Sequence, residues 1–251
     1  MGLACAVTGA QEDRAESIPL GSSTAMIADN LRRVRARIEG ACRAAGRPVE
    51  SVTLLAVSKR FGAEQVREAL RAGAHRFGEN LVQEGVEKIA ALAHDRERIE
   101  WHLIGPLQSN KTRVAAEQFD WVHSVDRLKI AERLSAQRPA DAAPLSICVQ
   151  VNISGETTKS GVAPDEVEVL ARRVAALPRL RLRGLMAIPE PQGDFEAQRV
   201  PHRALRRLQE QLVRSGLDLD TLSMGMSDDL EAAIAEGSTL VRVGTAIFGT
   251  R

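Results

Sequence analysis

Only five lysines occur in this chain, so its amine chemistry can be weighed residue by residue. Lys59 ends the apolar run Ser51-Val52-Thr53-Leu54-Leu55-Ala56-Val57-Ser58. A run with almost no polar interruption, carrying the β-branched Val52, Thr53 and Val57, reads as a strand buried on both faces of a parallel sheet. An amine at the C-terminal end of such a strand stands on the edge where α/β folds place their chemistry. Partial burial there favours the neutral amine, which attacks carbonyl carbons. Near the other end of the chain lie two short loops, Met224-Gly225-Met226-Ser227-Asp228-Asp229 and Arg242-Val243-Gly244-Thr245-Ala246. Ser227 is placed to open a helix whose free N–H groups and positive dipole end suit a phosphate. The same Ser-Asp-Asp run also serves as plain capping with no ligand. Gly244 permits close backbone approach, and Thr245 adds a hydroxyl and an N–H. Arg242, always charged and only a donor, could meet a phosphate or a ring nitrogen.

Other chemistries find little support. The five histidines show no metal-ligand spacing, and His102 and His123, in strand segments, read as satisfied barrel residues. The three cysteines are far apart and form no Cys-x-x-Cys, so neither a disulfide framework nor a zinc site is indicated. No nucleophile elbow and no Gly-x-Gly-x-x-Gly turn is present. Lys159, with Gly155 and Gly161 nearby, reads either as an exposed loop lysine or as a second amine able to take over an aldehyde bound at Lys59. Tyrosine is absent. A net charge of +1 with interspersed acids and bases leaves no footprint for nucleic acid or an anionic membrane. No apolar run approaches a membrane span and no signal peptide is apparent, so a cytoplasmic protein is expected.

The elements that must position these residues alternate. Residues 1–23, rich in Gly, Ser, Thr and Ala, read as a disordered extension. A helix begins near Thr24, with Ile27, Leu31, Val34, Ile38, Ala41 and Ala45 on one face, and stops at Gly46 and Pro48. Strands are expected over 51–59, 74–77, 101–104, 121–123, 145–152, 182–188, 221–224 and 239–243, with helices between them. The helix after strand five starts at Pro164, and Ser227 can cap the one after strand seven. This α/β alternation predicts a single (β/α)8 TIM barrel over 24–251. The chain of 251 residues stops eight residues after strand eight, so the N-terminal helix is expected to cover the gap left by a short eighth helix.

Barrel closure sets strand eight beside strand one. The phosphate-binding loops then lie next to Lys59, and a small molecule with both a phosphate and an aldehyde would bridge them. Pyridoxal phosphate is such a molecule, held as a Schiff base on the lysine.

Several segments carry a resemblance in the same sense: Ala56-Val57-Ser58-Lys59; Phe77-Gly78-Glu79-Asn80; Trp101 through Lys111; Val151 through Glu156 with Lys159-Ser160-Gly161; Gly184-Leu185-Met186; and Leu222 through Ser227 with Phe248-Gly249. In that order they resemble the YggS/PROSC family of pyridoxal phosphate homeostasis proteins, from about residue 26 to the end. The resemblance implies a barrel like the N-terminal domain of alanine racemase (fold type III of pyridoxal-phosphate proteins). It implies Lys59 as the cofactor lysine, with Ser227, Arg242, Gly244 and Thr245 around the phosphate and Asn80, Ile104 and Met226 lining the site. Leu81 departs from the tyrosine expected after Gly-Glu-Asn, and the first 25 or so residues are extra, Met26 standing nearer the usual beginning. The implied function is intracellular cofactor homeostasis without turnover, by a monomer. Its partners would be pyridoxal phosphate and apo-enzymes or vitamin B6 salvage enzymes, with neither nucleic acid nor membrane. The alternative is a racemase-like enzyme, which needs acid and base on opposite faces of the substrate. Alanine racemase takes one of the two from a tyrosine in a second domain, and this chain offers no tyrosine. A Schiff-base aldolase is a third reading, and would need an acid or base beside Lys59.

Overall fold

The computed structural model describes residues 21–155 and 160–250. Most of the expected N-terminal extension, and Lys159 with its proposed role, lie outside the described residues. The chain alternates α1 (Gly21–Ala44), β1 (Thr53–Val57), α2 (Ala63–Arg71), β2 (Arg76–Glu79), α3 (Val82–Ala91), β3 (Glu100–Leu103), α4 (Thr112–Gln118), β4 (Trp121–Val125) and α5 (Leu128–Gln137). It continues through β5 (Leu145–Gln150), α6 (Val167–Ala175), β6 (Leu180–Met186), α7 (Phe195–Arg214), β7 (Thr221–Ser223), α8 (Leu230–Ala235), β8 (Leu240–Val243) and α9 (Thr245–Phe248). The strands form a closed barrel in sequence order, and closure is parallel, with Leu55 beside Arg242 and Ala56 beside Val243. The expected (β/α)8 barrel is what the chain adopts.

The main core lies between strands and helices, where outward residues such as Phe77, Trp101, Ile147 and Val149 are fully buried. Strands β6 and β7 come so close that a Cβ on Gly184 would sit 1.7 Å from the Thr221 carbonyl oxygen, so only glycine fits. The helix α1 packs against α2, α8 and α9, covering the face that the four-residue α9 after β8 leaves open. Ile27, Leu31, Val34 and Ile38 are buried there, each contributing about 1.5–3 kcal/mol. Cys42 continues that buried stripe, with Ala41 and Ala45 at its half-buried edge.

Several boundaries depart from the sequence expectation. Strand β1 ends at Val57, because Ser58 and the two residues after it form a turn closed by Phe61 N–H donating to the Ser58 carbonyl, with Arg60 at φ 66°. Strand β2 is shifted two residues later, its register set by Phe77 opposite Trp101. Helix α6 starts at Val167, after a turn over Pro164, Asp165 and Glu166. Helix α8 starts at Leu230, so Ser227 does not cap it. Asp229 takes the N-cap position, and its carboxylate accepts from the Met226 N–H at 2.6 Å. Among the described residues no helix is long and apolar enough to cross a membrane, and no group of His, Cys, Asp and Glu could hold a metal ion.

Candidate functional site

At the C-terminal mouth of the barrel lies a cavity of about 550 Å³ lined by Lys59, Asn80, Ile104, Met226, Ser227, Arg242, Gly244 and Thr245. Every site residue expected from sequence therefore borders one space, although those residues come from the ends of β1, β2, β3, β7 and β8. Lys59 stands in the turn after β1 and is exposed, where partial burial was expected, because the strand stops short of it. Its amine has no hydrogen-bond or ion-pair partner among the described residues. On another wall Thr245 Oγ1 and Ser227 Oγ lie 3.4 Å apart. A Cβ on Gly244 would come within 3.1 Å of the Val57 carbonyl oxygen, so glycine lets the two chain segments close the barrel mouth here. Asp229 points away from the cavity, accepting from His202 Nε2 at 3.0 Å and the Met226 N–H, so its charge does not face Ser227 across the cavity. Asp228 remains on the rim.

The backbone that presents Lys59 rests on a buried ionic cluster. The Lys88 ammonium donates to the Ser58 carbonyl at 2.7 Å, to Glu79 Oε1 at 2.7 Å and to Glu84 Oε1 at 2.8 Å. Ser58 Oγ donates to Glu79 at 2.5 Å, and the Arg60 N–H donates to Glu84. Both peptide groups flanking Lys59 are thereby tied to α3 and the end of β2. Desolvation of the buried Glu79 raises its carboxyl pKa, a push that the Lys88 charge and the Ser58 bond only partly oppose.

Arg242 forms the cavity floor. Its Nη1 donates to the Ser223 carbonyl and to Ser223 Oγ at 2.8 Å, and its Nη2 to the Ala187 carbonyl at 2.9 Å. Burial pushes this guanidinium down to about 10, still far above neutrality, so it remains a cation. The loops that carry Ser227 and Thr245 are held from outside by α1. Arg37 donates from Nη2 to the Ser227 carbonyl at 2.8 Å and from Nε to Glu231 at 2.8 Å, and Asn30 Nδ2 donates to the Ile247 carbonyl at 3.0 Å.

Sequence reasoning missed Gln150, Ser160 and Ile188 as lining residues. Gln150 had a readable signal: a polar side chain at the C-terminal end of β5, in phase with the inward Cys148 and out of phase with Ile147 and Val149. Ser160 and Ile188 belong to loops whose path follows only from the closed barrel.

The family described as "Alanine racemase, N-terminal domain" matches residues 23–251. A pyridoxal phosphate homeostasis protein of Pseudomonas aeruginosa is 60% identical over 225 residues, covering 90% of this chain and 96% of the relative. Its counterpart in Escherichia coli K12 is 54% identical over 229 residues, covering 90% and 97%. The structure of PipY from Synechococcus elongatus PCC7942, with pyridoxal phosphate bound, superposes with a TM-score of 0.78 at 38% identity. That match covers 89% of this chain and all of PipY.

Proposed function

Since the chain belongs to the alanine racemase N-terminal-domain family, and within it to the pyridoxal phosphate homeostasis proteins, we propose that it binds pyridoxal phosphate covalently at Lys59 and holds it without turnover. The observation that carries this reading is the meeting of an unpartnered amine, a hydroxyl pair and a buried guanidinium around one cavity. When bound, pyridoxal phosphate supplies an aldehyde that condenses with a primary amine, losing water, and a pyridine ring whose electron demand depends on whether its nitrogen is protonated. The donor set fits that molecule. Lys59 supplies the amine, and Ser227, Gly244 and Thr245 receive the phosphate. Asn80, Ile104 and Met226 border the ring. Arg242, fixed by Ser223 and Ala187, would offer its remaining N–H donors to the phosphate or to the ring nitrogen; because a guanidinium only donates, at the nitrogen it would keep the ring unprotonated and a poor electron sink.

Turnover of an amino acid would need a second acid–base group facing Lys59. The other charged side chains lining the cavity are Arg242, which stays charged, and Asp228 on its rim. A store that keeps a reactive aldehyde away from other amines, and yields it to apo-enzymes, accords with this arrangement.

Titrating the purified protein with pyridoxal phosphate tests the reading. A visible absorbance band should grow to one equivalent, bleach with borohydride and leave a mass label on Lys59. A protein that stays colourless, or a label spread over surface lysines, would refute it. The loops should also depend on α1. Removing the Arg37 hydrogen bonds with Arg37→Ala should weaken pyridoxal phosphate binding by about 1–2 kcal/mol, about five- to thirty-fold in dissociation constant, with the circular dichroism spectrum unchanged. Unaltered affinity would show that the Ser227 loop holds its shape without α1.

A further inference from the structure

The interior of a (β/α)8 barrel is ordinarily filled by layers of branched apolar side chains. Here a continuous polar column crosses it, from Glu100 at the start of β3, through His102, His123 on β4 and Ser223 on β7, to Arg242 on β8. Glu100 lies at the N-terminal end of the strands, the opposite face from the cavity. Its Oε1 accepts from Arg76 Nε at 3.1 Å and stands 2.8 Å from His102 Nε2. His102 Nδ1 stands 2.8 Å from His123 Nε2, and His123 Nδ1 stands 2.8 Å from Ser223 Oγ. Ser223 Oγ in turn accepts from Arg242 Nη1.

Elementary donor counting fixes every proton in this column. A carboxylate only accepts, so His102 carries its hydrogen on Nε2. Both rings are fully buried, and desolvation lowers their pKa values, which keeps them neutral. His102 Nδ1 is then a bare acceptor, so His123 must donate from Nε2. His123 Nδ1 is therefore also bare and takes the Ser223 hydroxyl hydrogen, leaving the Ser223 lone pairs for Arg242. All the bonds point one way, from the buried cation to the surface anion. Trp121 stacks on His102 with ring centroids 5.2 Å apart and planes 14° from parallel, which fixes the ring that meets Glu100. Arg242 has no carboxylate at ion-pair distance among the described residues, since the nearby Asp229 is turned to His202 and the Met226 N–H. A buried guanidinium without compensation is costly, and hydrogen bonds aligned in series polarise one another.

We propose that Glu100, His102, His123 and Ser223 are positioning residues for Arg242, forming a one-way hydrogen-bond relay that holds the guanidinium against the cavity floor and couples it to a carboxylate at the far end of the barrel. Its consequence for the cofactor rests on the function proposed above, but the relay itself does not. A half-exposed surface residue on the face opposite the cavity thus tunes how the cavity holds its ligand.

The test has an arm without cofactor and an arm with it. With only five histidines in the chain, ring nitrogens can be resolved by 15N NMR on labelled protein. His102 and His123 should both appear as neutral Nε2–H tautomers. Glu100→Gln should move the His123 ring signals and the Arg242 guanidinium signals, while Glu97→Gln, which removes an exposed charge from the same basin, should leave them in place. An Nδ1–H tautomer or an imidazolium at either ring, or His123 and Arg242 signals indifferent to Glu100→Gln, would overturn the relay. In the second arm, Ser223→Ala should raise the dissociation constant for pyridoxal phosphate on the order of tenfold, as expected for one hydrogen bond to a charged group. Glu100→Gln should raise it about threefold or more and shift the visible absorbance maximum, and Glu97→Gln should do neither. Wild-type affinity and spectrum in Glu100→Gln would overturn the coupling, even if Ser223→Ala were impaired. If the wild-type protein bound no pyridoxal phosphate, the functional reading would fail, and the NMR arm would still decide the relay.

Discussion

Lys59→Ala is expected to abolish the borohydride-fixable visible band of the loaded protein and to weaken pyridoxal phosphate binding on the order of 100-fold, about 2.7 kcal/mol. The effect should be large because the substitution removes the one bond that the hydroxyls and the guanidinium cannot replace. What remains is phosphate and ring recognition by Ser227, Gly244, Thr245 and Arg242, a weak, freely reversible association. The fold should be indifferent. Lys59 is exposed and its amine has no partner among the described residues, so no buried contact is lost and the thermal midpoint should stay within a degree or so of wild type. That separation of binding from stability is the diagnostic feature. A variant that remained yellow, with its borohydride label still in the cavity, would show that another amine carries the cofactor. A variant that lost colour only because it unfolded would show that Lys59 has a structural role not visible in its contacts.

The sequence was informative where one residue's chemistry or one element's periodicity sufficed. The apolar run before Lys59 announced β1, and the spacing of Ile27, Leu31, Val34 and Ile38 announced the buried face of α1. Barrel closure then followed from counting strands, and it alone brought β8 beside β1. Features decided by register were not legible. His102 and His123 could be read as satisfied barrel residues, but their partners depend on how β3, β4 and β7 slide past one another. The Ser227 cap was misjudged for a related reason. A serine and an aspartate two residues later both suit an N-cap position, and the Asp229 that occupies it turns its carboxylate to His202 and the Met226 N–H rather than to the helix. Nothing local marked Lys88 as buried either. On α3 it reads as an ordinary surface lysine until Glu79 and the Ser58 carbonyl are seen to face it.

That buried ammonium carries the second large effect. Lys88→Met should destabilise the protein by about 3–5 kcal/mol, the usual cost of leaving one partner of a buried ion pair alone. For a chain of this size the thermal midpoint should fall by about 10 °C. The ammonium spends its hydrogens on Glu79, Glu84 and the Ser58 carbonyl, and methionine offers none of them. Glu79 would keep only the Ser58 hydroxyl, its Oε2 already lacking a partner. The pH dependence distinguishes this cause from a packing defect. Desolvation already raises the folded-state pKa of Glu79 above its unfolded value, and removing Lys88 removes the largest influence opposing that rise. Between the unfolded value, about 4.3, and the raised folded value, the folded state binds more protons than the unfolded one. Stability in that window therefore increases as pH falls, and Lys88→Met should recover part of its loss between neutral and mildly acidic pH. Adding Glu79→Gln should recover part of it at neutral pH, because the stranded charge is gone. If the deficit were the same at every pH and persisted in the double variant, the cost would lie in packing. Cofactor capture should also slow in Lys88→Met, since the Ser58 carbonyl just before Lys59 would lose the bond that orients it. That deficit should persist in the double variant, because glutamine at position 79 relieves the charge but restores no donor to Ser58.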